Sequence, residues 1–381
     1  MIPLAVGYRP PSADEEPFAD LIAPYVGRVA EVYLAWPGEP SGRPPTARAG
    51  DGRFEADLRA LRGLKVRISL LFNAACYGAG AGSSLLADRV LSVVRECERA
   101  AGLPDSVTTA SPAIAYIVKR RLPGVHVRAS VNLRLGSVAA LAQMEELFDS
   151  FCIQRDVQRD LAHVARLRRW AEGHGKTLAM LANSGCLRYC AGQTWHDNLV
   201  AHLDQTAGQE PLPGFTPLTC RRFLADPARR QALLQATWVR PEDLHRYEGL
   251  VDLAKLATRS HPRPAQVIRA YASGRFRGNL LDLLEPGLGH ALGEAILANE
   301  RFPADWFEHA QRCPADGACP VCETVLRRAV VSPEEYAAGV DARPMPSESA
   351  SDAAATDADV TAAVPSPPGK IHFAGPDTES R

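Results

Sequence analysis

The chain has no surplus of charge of either sign. Its 43 Lys and Arg stand against 44 Asp and Glu, for a formal net charge of −1. The basic footprint of a general nucleic-acid binder is therefore missing, and nucleic acid is not an expected partner. No apolar run approaches the ~20 residues of a membrane-spanning helix, so no membrane partner is expected either. The start, Met1-Ile-Pro-Leu-Ala-Val-Gly-Tyr8, is apolar but lacks a basic leader and a cleavage site. It reads as a first strand and not a signal peptide, which makes a cytoplasmic location the expectation. No Gly-x-Gly-x-x-Gly follows a strand and opens a helix, which weakens a dinucleotide-binding reading. There is no internal repeat, and spacing alone places no catalytic triad.

What the chain does have is an alternation of short apolar runs with amphipathic stretches. The runs Leu4–Tyr8, Ala30–Trp36, Val66–Asn73, Ser106–Ala110, His126–Leu133, Ser150–Arg155, Thr177–Asn183 and Val251–Leu256 predict strands. Most are apolar throughout, as parallel strands covered on both faces are. Helical patterns lie between them, so an α/β fold is expected, a (β/α)8 TIM-like barrel first and an open doubly wound sheet second. Residues 1–275 form the predicted barrel, 276–335 a helical extension, and 336–381 a tail. The tail is rich in Pro, Ser, Ala and Asp with few large apolar residues, and its composition predicts disorder.

Nine cysteines are present, and six fall in two groups: Cys186-Leu-Arg-Tyr-Cys190 with Cys220, and Cys313 with Cys319-Pro-Val-Cys322. In a chain with no export signal, thiols grouped this closely point to a metal rather than to disulfides. Cys186 and Cys190 follow a predicted strand, on the loop where barrel ligands gather. Three thiolates there suit a [4Fe-4S] cluster, which usually takes four; His196, Cys76 or a cysteine of the second group is the candidate fourth ligand. Zinc, which accepts the same ligands, is the alternative. The second group alone can hold a structural zinc or complete the cluster. Cys97 and Cys152 read as ordinary buried thiols.

Polar residues close several predicted strands. Asn73, Asn132 and Asn183 are expected to line a substrate pocket, though Asn also favours turns. Lys255 lies between apolar residues in the last predicted strand, with Arg259 near its end. A buried cation needs a partner, so Lys255, Arg259 and His196 are candidate catalytic residues facing an anionic small molecule. The competing reading of Lys255 is an internal salt bridge. Glu242 and Asp243, after Pro241, read first as a helix N-terminus.

From the cysteine loop through Arg240-Pro-Glu-Asp-Leu244 to Lys255-Leu-Ala-Thr-Arg259 and Tyr271, the chain resembles the collagenase-like peptidase U32 family. Those proteins have a cysteine-bearing segment, a helix opened by Asp-Leu, and a strand ending Lys-Ile-Glu-Gly-Arg. Here Asp243-Leu244 and Lys255 to Arg259 occupy those places, with Ala257-Thr258 where the family has Glu-Gly. The short Cys-x3-Cys is more like the members that serve oxygen-independent ubiquinone hydroxylation; related members modify tRNA or rRNA. The resemblance implies a barrel with an iron–sulfur cluster at its mouth, and with it a redox modification such as hydroxylation, helped by an electron donor or partner subunit. A peptidase or hydrolase-like barrel with structural zinc or thiols, and a non-catalytic metal-stabilised binding protein, are the alternatives.

Overall fold

The computed structural model describes residues 1–12, 15–42, 52–206, 209–210 and 212–341. Eight strands, β1 (Leu4–Gly7), β2 (Val29–Leu34), β3 (Arg67–Phe72), β4 (Ser106–Thr109), β5 (His126–Ala129), β6 (Ser150–Cys152), β7 (Thr177–Leu181) and β8 (Leu253–Leu256), close into a barrel in chain order. Every pairing is parallel, including the closing pair in which Ala5 of β1 faces Lys255 of β8. The open doubly wound sheet is thereby set aside.

Helices α1 (Phe18–Ile22), α2 (Gly52–Gly63), α3 (Ser84–Ala101), α4 (Pro112–Arg121), α5 (Val138–Ala142) and α6 (Leu161–Gly173) connect the first seven strands. Their starts are encoded locally: Ser83, Ser111 and Asp160 accept hydrogen bonds from the backbone N–H groups of Leu86, Ile114 and His163. On α3 the buried Leu86, Val90, Val93, Val94 and Cys97 recur at helical spacing and form the stripe that faces the barrel. Cys97 is an ordinary core residue. Between β7 and β8 lie α7 (Gln193–Ala201), α8 (Leu203–Thr206) and α9 (Thr219–Leu224), and α10 (Pro264–Ser273) follows β8.

The strands stop earlier than the apolar runs do. Ser130 Oγ accepts from Asn132 N at 3.1 Å and turns the chain into a 3-10 turn, Val131–Leu133, right after β5. A similar turn, Arg155–Val157, follows β6. Where Glu242 and Asp243 read as a helix N-terminus the chain forms a 3-10 turn, Pro241–Tyr247, and the two acids act as tethers. Asp243 takes both arms of Arg240 (2.8 and 3.2 Å), and Glu242 accepts from Phe276 N and Asn299 Nδ2. These last bonds fasten the following segment to the barrel.

That segment carries α11 (Trp306–Arg312), α12 (Pro320–Ala329), α13 (Pro333–Asp341) and a two-stranded antiparallel sheet of β9 (Ile296–Leu297) and β10 (Val330–Val331). Trp306 stacks on Trp238 with centroids 6.0 Å apart, and Cys322, Val325 and Ala329 join the same buried cluster as the barrel core. The extension thus shares one core with the barrel. Helix α13 covers 336–341 of the expected tail, and residues 342–381 lie outside the described residues.

Candidate active site and cysteine centres

Inside the barrel, Ala5, Tyr33, Leu71, Cys152, Ala179 and Leu253 form a small inner cluster distinct from the outer core. Side chains alternate along a strand, so Glu31, two residues before Tyr33, and Lys255, two after Leu253, also point inward. Glu31 is the one carboxylate carried on the eight strands, and Arg128 of β5 takes both its oxygens at 2.5 and 3.0 Å. Both residues are buried. Burial alone would raise the Glu31 carboxyl, but the Arg128 guanidinium overrides it and holds the group below the usual carboxylate range.

Lys255 is left without a carboxylate. Its Nζ lies 3.7 Å from the centroid of the Tyr33 ring, and no salt bridge forms to it among the described residues. Tyr33 is itself held by a hydrogen bond from its hydroxyl to Leu256 O at 2.6 Å. Lys255 faces Leu181, the last residue of β7, which places it at the C-terminal end of the barrel. It keeps some contact with solvent, although protein surrounds its stem. Burial pulls its ammonium down to about 8, with Cys152 and Glu31 opposing and Arg128 and Arg259 adding to the fall.

A second cation shares this end. Arg155, 7% exposed, donates from Nη1 to Ser184 Oγ and to Cys186 Sγ, both at 3.3 Å, and its Nη2 finds no partner among the described residues. Burial pushes the Cys152 thiol up, against the pull of Lys255, Arg128 and Arg155. Cys152 is therefore part of the site's inner wall, a place its strand context did not reveal. Arg259, also buried, donates to Ser41 Oγ at 2.7 Å. A Cβ built on Gly42 would meet Asn132 Nδ2 at 3.0 Å and Asn73 Nδ2 at 3.2 Å. Ser41 and Gly42, beyond β2, thus lie beside Asn73, Asn132 and Arg259, and Asn73 Oδ1 has no hydrogen-bond partner among the described residues.

Asn183 sits differently. It is fully buried; its Nδ2 donates to Leu283 O (2.9 Å) and Ala257 O (3.2 Å), and its Oδ1 accepts from Ala257 N (2.6 Å). Its amide holds backbone together and has nothing left to offer a substrate. Asn183→Ala is expected to lower the unfolding free energy by about 3 kcal/mol, because several buried backbone groups lose their partners at once; urea denaturation would measure it.

The cysteine loop is clamped from three sides. Thr237 Oγ1 donates to Ser184 O and Cys186 O, Gly185 N to Glu285 O, and Tyr189 N to Asp156 Oδ1. Gly185 is needed for close approach: a Cβ there would lie 2.0 Å from Pro286 O. Cys190 Sγ is 3.9 Å from Thr219 Oγ1, next to Cys220 on α9. Burial raises the Cys220 thiol, and Cys186 and then Cys190 raise it further, so the three sulfurs share one neighbourhood. His196 is half-buried on α7.

The second group is tighter. Among the described residues, Cys313, Cys319 and Cys322 form a group whose sulfurs all lie within 4.8 Å of one another; Cys186, Cys190 and Cys220 do not close to that spacing. Cys313 caps the end of α11, Cys319 precedes α12 and Cys322 lies in its first turn. Arg188 Nη1 donates to Cys313 O at 3.0 Å, which ties the first cysteine loop to the second, and Cys319 N donates to Gln231 Oε1 at 3.0 Å. Hydrogen bonding from Cys322 holds the Cys313 thiol down at about 6, and the same bonds with burial push Cys322 far up. The trio therefore holds one anionic sulfur readily, with buried Arg159 beside it. A tetrahedral ion with metal–sulfur bonds of about 2.3 Å sets its thiolates roughly 3.8 Å apart, which suits this spacing.

No family model matches the chain. Over 185 residues it is 28% identical to an uncharacterized protease, MJ1657, of Methanocaldococcus jannaschii, covering 48% of this chain and 53% of that protein. The chain thus spans about half the length of this curated relative. Among solved structures it is similar to the U32 peptidase Mk0906, at 13% identity and a TM-score of 0.49, covering 69% of this chain and 94% of that one. An endo-beta-1,4-mannanase from Thermotoga petrophila follows at 9% identity and a TM-score of 0.36, covering 71% and 76%. No helix among the described residues is long and apolar enough to cross a membrane. The sequence likeness is to a protein named a protease, and the chain itself is built on a closed parallel eight-stranded barrel.

Proposed function

We propose that the chain is an enzyme that modifies an anionic small molecule at the C-terminal mouth of the barrel, next to a thiolate-bound metal centre. The observation that carries this is one contact: Arg155, a buried guanidinium with an unpartnered nitrogen, reaches Cys186 Sγ at 3.3 Å. That contact supports reading the cationic mouth and the cysteine loop as a single site. In the proposal an iron–sulfur cluster occupies Cys186, Cys190 and Cys220 and supplies redox chemistry, and a structural zinc occupies Cys313, Cys319 and Cys322. Arg155 and Arg259 bind the anion, Asn73 and Asn132 orient it, and Lys255 sits below it. A reaction of the hydroxylation type needs an electron donor, which a partner subunit would provide.

The second reading is a peptidase or hydrolase-like barrel with zinc alone. It is favoured by the relative named a protease and by the close set of three sulfurs. Anaerobic purification followed by iron, sulfide and zinc analysis separates the two. The redox reading expects iron and sulfide that fall by most of their value in Cys220→Ala, and zinc that disappears in Cys319→Ala. Zinc alone in the wild type, with no iron or sulfide, would leave the hydrolase reading.

A further inference from the structure

We infer that Lys255 is a Schiff-base lysine, whose ε-amine condenses with the carbonyl of a 2-oxo acid held at the barrel mouth through its carboxylate. The inference deepens the reading of the mouth as an anion site and rests on it. Charge matching along the strands carries it. The eight strands bring one carboxylate to the interior, Glu31, and both of its oxygens are occupied by Arg128. Among the described residues Lys255 is thus a cation with no salt-bridge partner, the face of Tyr33 lying beneath its Nζ. A lysine retained for structure would have a carboxylate or several carbonyls around it, as Lys176 has in Glu145 O and Phe148 O, and Lys119 in Asp149.

The surroundings suit the condensation. An amine in a poorly solvated site loses its proton more easily than one in water, and Lys255 at about 8 is partly neutral near physiological pH. Contact with solvent at the mouth lets water and protons leave. Arg155 Nη2 is unpartnered and buried, and Arg259 lies across the same mouth, so a carboxylate has guanidinium donors. The step balances without an oxidant. The ammonium gives up a proton, the freed lone pair attacks the carbonyl carbon, and the resulting carbinolamine takes up a proton and loses water. Net, R–NH3⁺ and the carbonyl give a protonated imine and water. The imine then withdraws electrons from the substrate's neighbouring carbon, as any iminium does.

The test uses the full chain as purified, with pyruvate as probe and sodium cyanoborohydride to reduce any imine. The sequence has only five lysines, Lys65, Lys119, Lys176, Lys255 and Lys370, so peptide mapping resolves them all. The expected result is a secondary amine at Lys255 in at least tenfold excess over each other lysine. The rate should rise with pH through about 8, and Arg155→Met should slow it. L-Lactate, equal in charge but lacking the carbonyl, should slow labelling and raise the melting temperature without modifying the protein. Labelling at Lys255 no greater than at the other lysines, with lactate still raising the melting temperature, would overturn the imine and leave the anion site standing. If neither lactate nor pyruvate shifts melting and Lys255 stays unlabelled, both readings fall.

Discussion

Lys255→Met should make the protein more stable and inactive. An amine that titrates at about 8 in the folded chain and at the ordinary 10.5 when unfolded binds its proton more tightly in the unfolded state. Folding is therefore opposed by Lys255 at every pH below about 8, and that opposition fades as pH rises toward 10.5, where both states carry a neutral amine. Each pH unit of separation is worth about 1.4 kcal/mol. Water reaches the amine, so a gain of about 1–3 kcal/mol at pH 7 is the expectation for the methionine variant. Denaturant titrations of both proteins at pH 7 and at pH 10 would show the gap and its narrowing. Substrate turnover should be lost throughout. A Lys255→Met protein that is less stable at pH 7 would identify the residue as a structural cation and remove it from the site. Functional groups held at a cost to folding are where stability and activity trade against each other.

The opposite sign is expected one layer down. Arg128→Met strands Glu31 as a buried carboxylate whose partner is gone, and a loss of about 3–5 kcal/mol should follow. The residual charge has one place to turn: Lys255, already coupled to Glu31 electrostatically, should hold its proton more tightly in this variant. The cost should therefore be smaller at pH 6 than at pH 9.5, where the amine is neutral and cannot help. Replacing both members, Glu31→Leu with Arg128→Met, removes the stranded charge and should recover most of the lost stability. Chemical denaturation of the two single variants and the double variant closes the cycle. An Arg128→Met protein within 1 kcal/mol of wild type would show that the pair is hydrated and that the interior is wetter than its burial implies.

The barrel was legible because its signal is local and repeated. All eight apolar runs became strands, and Ser83, Ser111 and Asp160 start helices where their side chains can cap them. Strand ends were read too long, because Ser130 and Asn183 bend the chain through side-chain bonds that hydrophobicity does not register. Asn73 and Asn132 do meet at the mouth, while Asn183, of the same type and at an equivalent place, serves only backbone. Glu31 and Arg128 each stand in an apolar run just as Lys255 does, and only the closed sheet shows that those two pair with each other.

Sequence by itself determined the order of strands and helices, the loop position of Cys186 and Cys190, and the oddity of a lysine in an apolar strand. Those features depend on periodicity and neighbours a few residues apart. The tertiary structure decided the pairings. It matched Glu31 to Arg128 across 97 residues and so left Lys255 without a salt bridge among the described residues. It drew Cys313, Cys319 and Cys322 closer together than the cysteines that looked more like a site. It also set an unsatisfied Arg155 nitrogen beside Cys186. Charge compensation in a barrel interior is settled between strands distant in the chain, whose inward side chains meet only when the sheet closes, and spacing along the sequence carries no record of that distance.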